Sequence, residues 1–180
     1  MATDLAQLKA RTRRRFEVAR LRSAMLGLAL LSPVLLAVVA LAPRTGWAVA
    51  WTLGATFVAL FALWRGQSLG RGVLPGFVCA LVPLTTAHAA ARIGHLCTGD
   101  GCYSLCAPLC TAGGVVAGLA LARWMRSQPD RWGAFAVGGA LVVSVAATGC
   151  TCLGLGGVVG VASGLVAGAV LLGLQPASTR

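Results

Sequence analysis

Long apolar runs separated by short polar ones set the plan of this chain. Residues 23–42, 47–64, 73–91, 105–122, 133–149 and 153–174 contain no Asp, Glu, Lys or Arg. Each approaches the roughly 20 residues that cross a hydrocarbon core about 30 Å thick. The pattern predicts an all-α integral membrane protein, a six-transmembrane-helix bundle, with a basic segment over 1–22 and a tail over 175–180. The second and fifth runs are short. The last two are separated only by Gly149-Cys150-Thr151-Cys152, so a five-span reading with one re-entrant segment stays open. The stretch 133–174 is much too long for one helix, which favours two.

Composition fits this plan. Hydrophobic residues make up 58% of the 180 positions and charged residues only 11%, against about 25% charged in soluble domains. The net charge of +11 would suit nucleic acid if it were spread over a surface. Instead Lys9, Arg11, Arg13, Arg14, Arg15, Arg20 and Arg22 crowd before the first apolar run, where basic residues report topology. No direct contact with nucleic acid is expected.

With six spans and the N-terminus inside, every one of the 15 basic residues except Arg44 and Arg92 falls on the cytoplasmic side. Both termini are then cytoplasmic, the protein is multi-pass, and the reading is a bacterial inner (cytoplasmic) membrane. Ala40-Leu41-Ala42 resembles a signal-peptidase site. The preceding apolar run is too long for a signal peptide, however, and Pro43 follows directly, so the first helix is read as retained. Trp47, Trp51, Trp64, Trp124 and Trp132 fall near span ends, as interfacial anchors do.

The same topology puts six of the 7 cysteines at the outer face, where disulfides persist. Cys97, Cys102, Cys106 and Cys110 lie in or beside the second outer loop, Cys150 and Cys152 in the third, and Cys79 inside a helix. The spacing is C-x4-C-x3-C-x3-C, followed by a distant C-x-C. No C-x-x-C pair is present, which argues against a thiol oxidoreductase. The tight C-x2-C knuckle of zinc sites is missing too, although His95 could add a ligand. Structural disulfides and a reversible thiol sensor remain, and the residues alone do not separate them.

Gly156, Gly160, Gly164 and Gly168 recur every four residues in the last run. Such a stripe lets helix backbones approach closely. It suits either a homodimer face or packing inside the bundle, where Gly114 and Gly118 offer partners. No carboxylate lies within any span, which counts against an ion-coupled transporter. His88 reads as a satisfied interfacial histidine. No nucleophile–base pair, phosphate loop or carboxylate pair is present, so the chain is not read as an enzyme and no cofactor or bound metal is expected.

Leu5, Leu8, Thr12, Phe16 and Ala19 recur at helical spacing among the basic residues of the N-terminal segment. Asp4 precedes them, where a carboxylate suits a helix N-terminus. The segment suits anionic lipid or a cytoplasmic partner equally.

Six spans, an N-terminal Thr3-Asp4-Leu5 leading into a periodic helix, and cysteines in the second and third outer loops together resemble the NrsF-type membrane anti-sigma factors. The resemblance implies that the cytoplasmic segment sequesters an extracytoplasmic-function sigma factor, with Asp4, Leu5 and Leu8 in contact. It further implies release on periplasmic thiol oxidation, with Cys102 and Cys152 as the sensing pair. The alternative is a small transporter or metal-handling protein using the cysteine loops. A third reading is a structural subunit packed through its glycine faces.

Overall fold

The computed structural model describes residues 2–41, 45–93, 95–98, 101–104, 106–149 and 155–173. In chain order these form α1 (Ala2–Leu41), α2 (Thr45–Arg65), the single turn α3 (Gln67–Gly70), α4 (Val73–Ile93), strands β1 (His95–Thr98) and β2 (Gly101–Ser104), α5 (Cys106–Met125), α6 (Arg131–Gly149) and α7 (Leu155–Gly173). The described residues are thus helical apart from one hairpin and short turns. Among the described residues, four helices are long and apolar enough to cross a bilayer: α2, α4, α5 and α6. The apolar stretch of α7, Leu155–Leu171, is shorter. This is the make-up of a multi-pass membrane protein, and the side chains on its outside agree. Leu53 and Phe57 on α2, Val116 on α5 and Val166 on α7 are all at least half exposed, an outward apolar face that lipid covers and water would not.

The sequence pattern divides the first 42 residues into a basic segment and a span. The structure joins them in one helix of 40 residues. Apart from Ser23, the positions across residue 22 hold Ala, Leu, Arg and Met, all good helix formers, and no Gly or Pro interrupts the winding there. Pro33 lies inside the helix and lacks the N–H that would bond the carbonyl four residues back. The Ser32 hydroxyl donates to that carbonyl, on Ala29, at 2.8 Å, which is how a membrane helix tolerates a proline.

Two glycine seams hold the bundle. Along α5 and α7, a Cβ added to Gly114 would stand 2.4 Å from the Val161 carbonyl oxygen, and one on Gly118 would stand 2.3 Å from that of Leu165. From the other side, Gly164 and Gly168 would meet the carbonyl oxygens of Thr111 and Val115 at 2.2 and 2.3 Å. No real side chain fits at such distances, so the two backbones touch. Along α4 and α6, Gly72 would meet the Ala134 carbonyl oxygen at 2.3 Å and Gly76 the Gly138 Cα at 2.7 Å. Lipid offers helices no hydrophobic drive to associate, and this kind of approach supplies dispersion contact in its place.

α6 sits at the centre. Leu141, Val142 and Ala146 are fully enclosed, in one core with Ala80 of α4, Leu121 of α5 and Val161 of α7. The Trp47 indole Nε1–H donates to the Ala147 carbonyl at 2.8 Å, fastening the start of α2 to the end of α6. At the opposite end of the bundle, Arg71 Nη1 donates to Gln128 Oε1 at 3.1 Å. Arg65, Arg71, Arg123, Arg126 and Arg131 are all exposed there. The bundle therefore has one strongly basic end.

α1 joins this end. The Arg20 guanidinium donates to the Arg65 carbonyl at the C-terminus of α2. Gly66, at φ 66°, lets the chain turn immediately afterwards, the left-handed conformation in which helices commonly end. A Cβ on Gly66 would lie 2.8 Å from the same guanidinium. Seven residues further along α1, Gly27 seats the side chain of Leu63.

Candidate functional site

The cysteine-rich stretch is a β-hairpin rather than an open loop. His95-Leu96-Cys97-Thr98 and Gly101-Cys102-Tyr103-Ser104 pair antiparallel, with Cys97 opposite Cys102 and Thr98 opposite Gly101. Only Gly99 and Asp100 separate the strands in sequence, a Gly-first pair of the kind that closes two-residue hairpins. An isolated two-stranded hairpin is marginal in water. This one is tethered at both feet, because a single residue separates it from α4 and another from α5. The hairpin is what the sequence reading missed, and its signal was the Gly99-Asp100 pair between two four-residue strands.

Cys106 and Cys110 occupy the first two turns of α5 and are 7% and 3% exposed. Four residues apart on a helix, they share one face, and that face is turned into the bundle. Cys110 also borders α7, since a Cβ on Gly160 would lie 3.9 Å from the Cys110 Cβ. Cys79 is buried in α4. It lies fourteen residues before Ile93, about 21 Å along the helix from the hairpin end at 1.5 Å per residue. Cys150 and Cys152 lie outside the described residues. The structure thus brings Cys97 and Cys102 to one rung of a ladder, puts Cys106 and Cys110 directly beyond it, and keeps Cys79 apart.

His88 lies on α4 near the hairpin end, half-buried, with its Nδ1 3.0 Å from the Leu84 carbonyl of its own helix. Its ring also borders Gly149. This histidine is partnered within the fold. Among the described residues, no three or more His, Cys, Asp or Glu are grouped as metal ligands.

The glycine stripe is divided. Gly160, Gly164 and Gly168 face α5, whereas Gly156 is exposed. The face that could have served a homodimer is thus largely filled from within the chain. Thr111 has a double role on this seam. Its hydroxyl donates to the Ala107 carbonyl at 3.0 Å, and its own carbonyl is the atom against which Gly164 packs.

At the other end, Asp4, Leu5 and Leu8 belong to the first turns of α1, and their side chains lie outside the described residues. From Arg11 to Arg22 the helix is exposed almost throughout. Arg11, Arg14, Arg15, Val18, Ala19 and Arg22 line one side of it, the recurrence expected of a single helical stripe. Phe16 is also exposed, with the Arg20 guanidinium 5.3 Å from its ring centre. Arg13 pairs with Glu17 at 3.2 Å on the open surface. The geometry therefore offers two separate features: a thiol-bearing hairpin at one end of the bundle and a free basic helix at the other.

No known protein family, curated protein or solved structure matches this chain.

Proposed function

We propose that this protein is a membrane-bound regulator of the anti-sigma type. It would cross a bacterial inner membrane six times, with both termini in the cytoplasm, and sequester an extracytoplasmic-function sigma factor through its N-terminal helix. Oxidation of thiols at the periplasmic face would then trigger release. The basic end of the bundle supports this orientation, because arginines collect on the cytoplasmic side.

One observation carries the reading. α1 runs without a break from its packing against α2 to a stretch that is exposed almost throughout from Arg11 to Arg22. Beyond Arg20 the helix continues for about 27 Å at 1.5 Å per residue. Arg11, Arg14 and Arg15 are exposed along that length. A helix presented in this way suits a protein partner better than a lipid surface, on which an amphipathic helix lies flat. Asp4, Leu5 and Leu8 are its outermost contact candidates.

The test is a pull-down from detergent-solubilised membranes, with and without peroxide, comparing the full chain with a version lacking residues 1–16. Recovery of a sigma factor with the full chain only, lost on oxidation, supports the proposal. Failure to recover one in either redox state refutes it.

A further inference from the structure

We infer that Cys97 and Cys102 form a disulfide across the hairpin, making the β1–β2 rung a self-contained thiol modification site. The register carries the argument. The two residues are direct partners in an antiparallel ladder, where facing Cα atoms stand roughly 4.5–5.5 Å apart. Disulfides span Cα separations of roughly 4.4–6.8 Å, so the bond forms without moving the backbone.

The position of the rung strengthens this. In a two-residue hairpin the closing pair, here Thr98 and Gly101, exchanges backbone hydrogen bonds. The next pair is then the closer, non-hydrogen-bonded kind, whose Cβ atoms approach the disulfide range most nearly. The two nearest described cysteines compete poorly. Cys106 and Cys110 are on a helix and turned into the core, and no strand register brings either opposite Cys97 or Cys102.

The chemistry closes with a low-molecular-weight disulfide such as oxidised glutathione as the oxidant. The thiolate of one cysteine attacks a sulfur of the donor, whose S–S bond breaks and expels one glutathione thiolate. The second cysteine then displaces the other glutathione from the mixed disulfide. Two protein thiols are oxidised, one donor disulfide is reduced to two thiols, and the protons leave with them.

The site has a mechanical neighbour. Only Leu105 separates β2 from α5, and α5 is the helix that packs backbone to backbone on α7. A change in the stiffness of the hairpin therefore acts at the first turn of the tightest helix pair. This inference concerns the hairpin alone and does not depend on any cytoplasmic partner, so the pull-down can fail while the bond forms.

The experiment uses the full chain in detergent, equilibrated in glutathione buffers from reducing to oxidising, acid-trapped, alkylated and digested. Cleavage after Arg92 and Tyr103 isolates residues 93–103, which contain only Cys97 and Cys102. Under oxidising conditions this fragment is expected without label and two hydrogens lighter, gaining two labels after reduction. In Cys97→Ser no second thiol completes the exchange, so in oxidising buffer Cys102 should be recovered carrying one glutathione that reduction removes. Labelling of both cysteines in oxidising buffer overturns the inference. So does a fragment crosslinked to Cys106, Cys110, Cys150 or Cys152.

Discussion

Replacing Gly164 with alanine would put a methyl carbon 2.2 Å from the Thr111 carbonyl oxygen and 3.0 Å from the Val115 nitrogen. Both obstacles are backbone, so no rotamer change can clear them. Restoring ordinary contact at roughly 3.4 Å requires α5 and α7 to separate by about 1 Å, and that gap already forfeits a quarter to a half of each dispersion well. Overpacking of this kind costs about 1–3 kcal/mol, and a backbone obstacle belongs near the upper figure. Against it, alanine is favoured over glycine in a helix by about 1 kcal/mol. The expected net loss is about 2 kcal/mol. Gly54 on α2 provides the control, because nothing lies within 4 Å of a Cβ built there. Gly54→Ala should be neutral or stabilising by up to about 1 kcal/mol. Reversible denaturant unfolding of the purified protein in mild detergent, followed by tryptophan fluorescence, measures both. If Gly164→Ala is as stable as the parent, or the two variants shift equally, the backbone seam described here is wrong.

Two further substitutions probe the ends of the bundle. Trp47→Phe keeps the ring but removes the donor to the Ala147 carbonyl, and should cost about 1 kcal/mol in the same unfolding assay; no change would mean that the bond contributes nothing. Gly66→Ala forces a side chain into a left-handed conformation and against the Arg20 guanidinium. It should cost about 1–2 kcal/mol and speed tryptic cleavage between Arg11 and Arg22, whereas an unaltered cleavage rate would show that Arg20 does not fasten α1 to α2.

The uncharged runs after the first lie within a few positions of α2, α4, α5, α6 and α7, because a bilayer imposes length and apolarity that are visible without any tertiary information. The run 47–64 became Thr45–Arg65 and the run 133–149 became Arg131–Gly149, each gaining polar residues that continue a helix into the interface. The merging of the first span with the basic segment was less legible. Hydropathy changes sharply near residue 22, but helix propensity does not. The hairpin was hidden for a different reason. Its strands are four residues long, too short for periodicity to register, and the cysteine spacing is a louder signal than the Gly99-Asp100 pair. Gly114 and Gly118 stood out as partners for the α7 stripe, yet only geometry could say that Gly156 is exposed while Gly160, Gly164 and Gly168 face α5. The pairing of α4 with α6 had a signal in Gly72 and Gly76, spaced as Gly114 and Gly118 are, but Gly72 falls just outside the apolar run 73–91 and so does not read as part of a span.

The continuity of α1 has a consequence for leverage. At 1.5 Å per residue a helix of 40 residues is about 60 Å long, twice the thickness of the hydrocarbon it meets. Arg20, where α1 is fastened to the end of α2, divides it into a seated arm and a free arm of about 27 Å. A tilt of about 10° at that fulcrum sweeps the tip of the free arm through about 5 Å, close to one helical turn. Movements too small to disturb packing inside the bundle are thereby magnified at Asp4, Leu5 and Leu8.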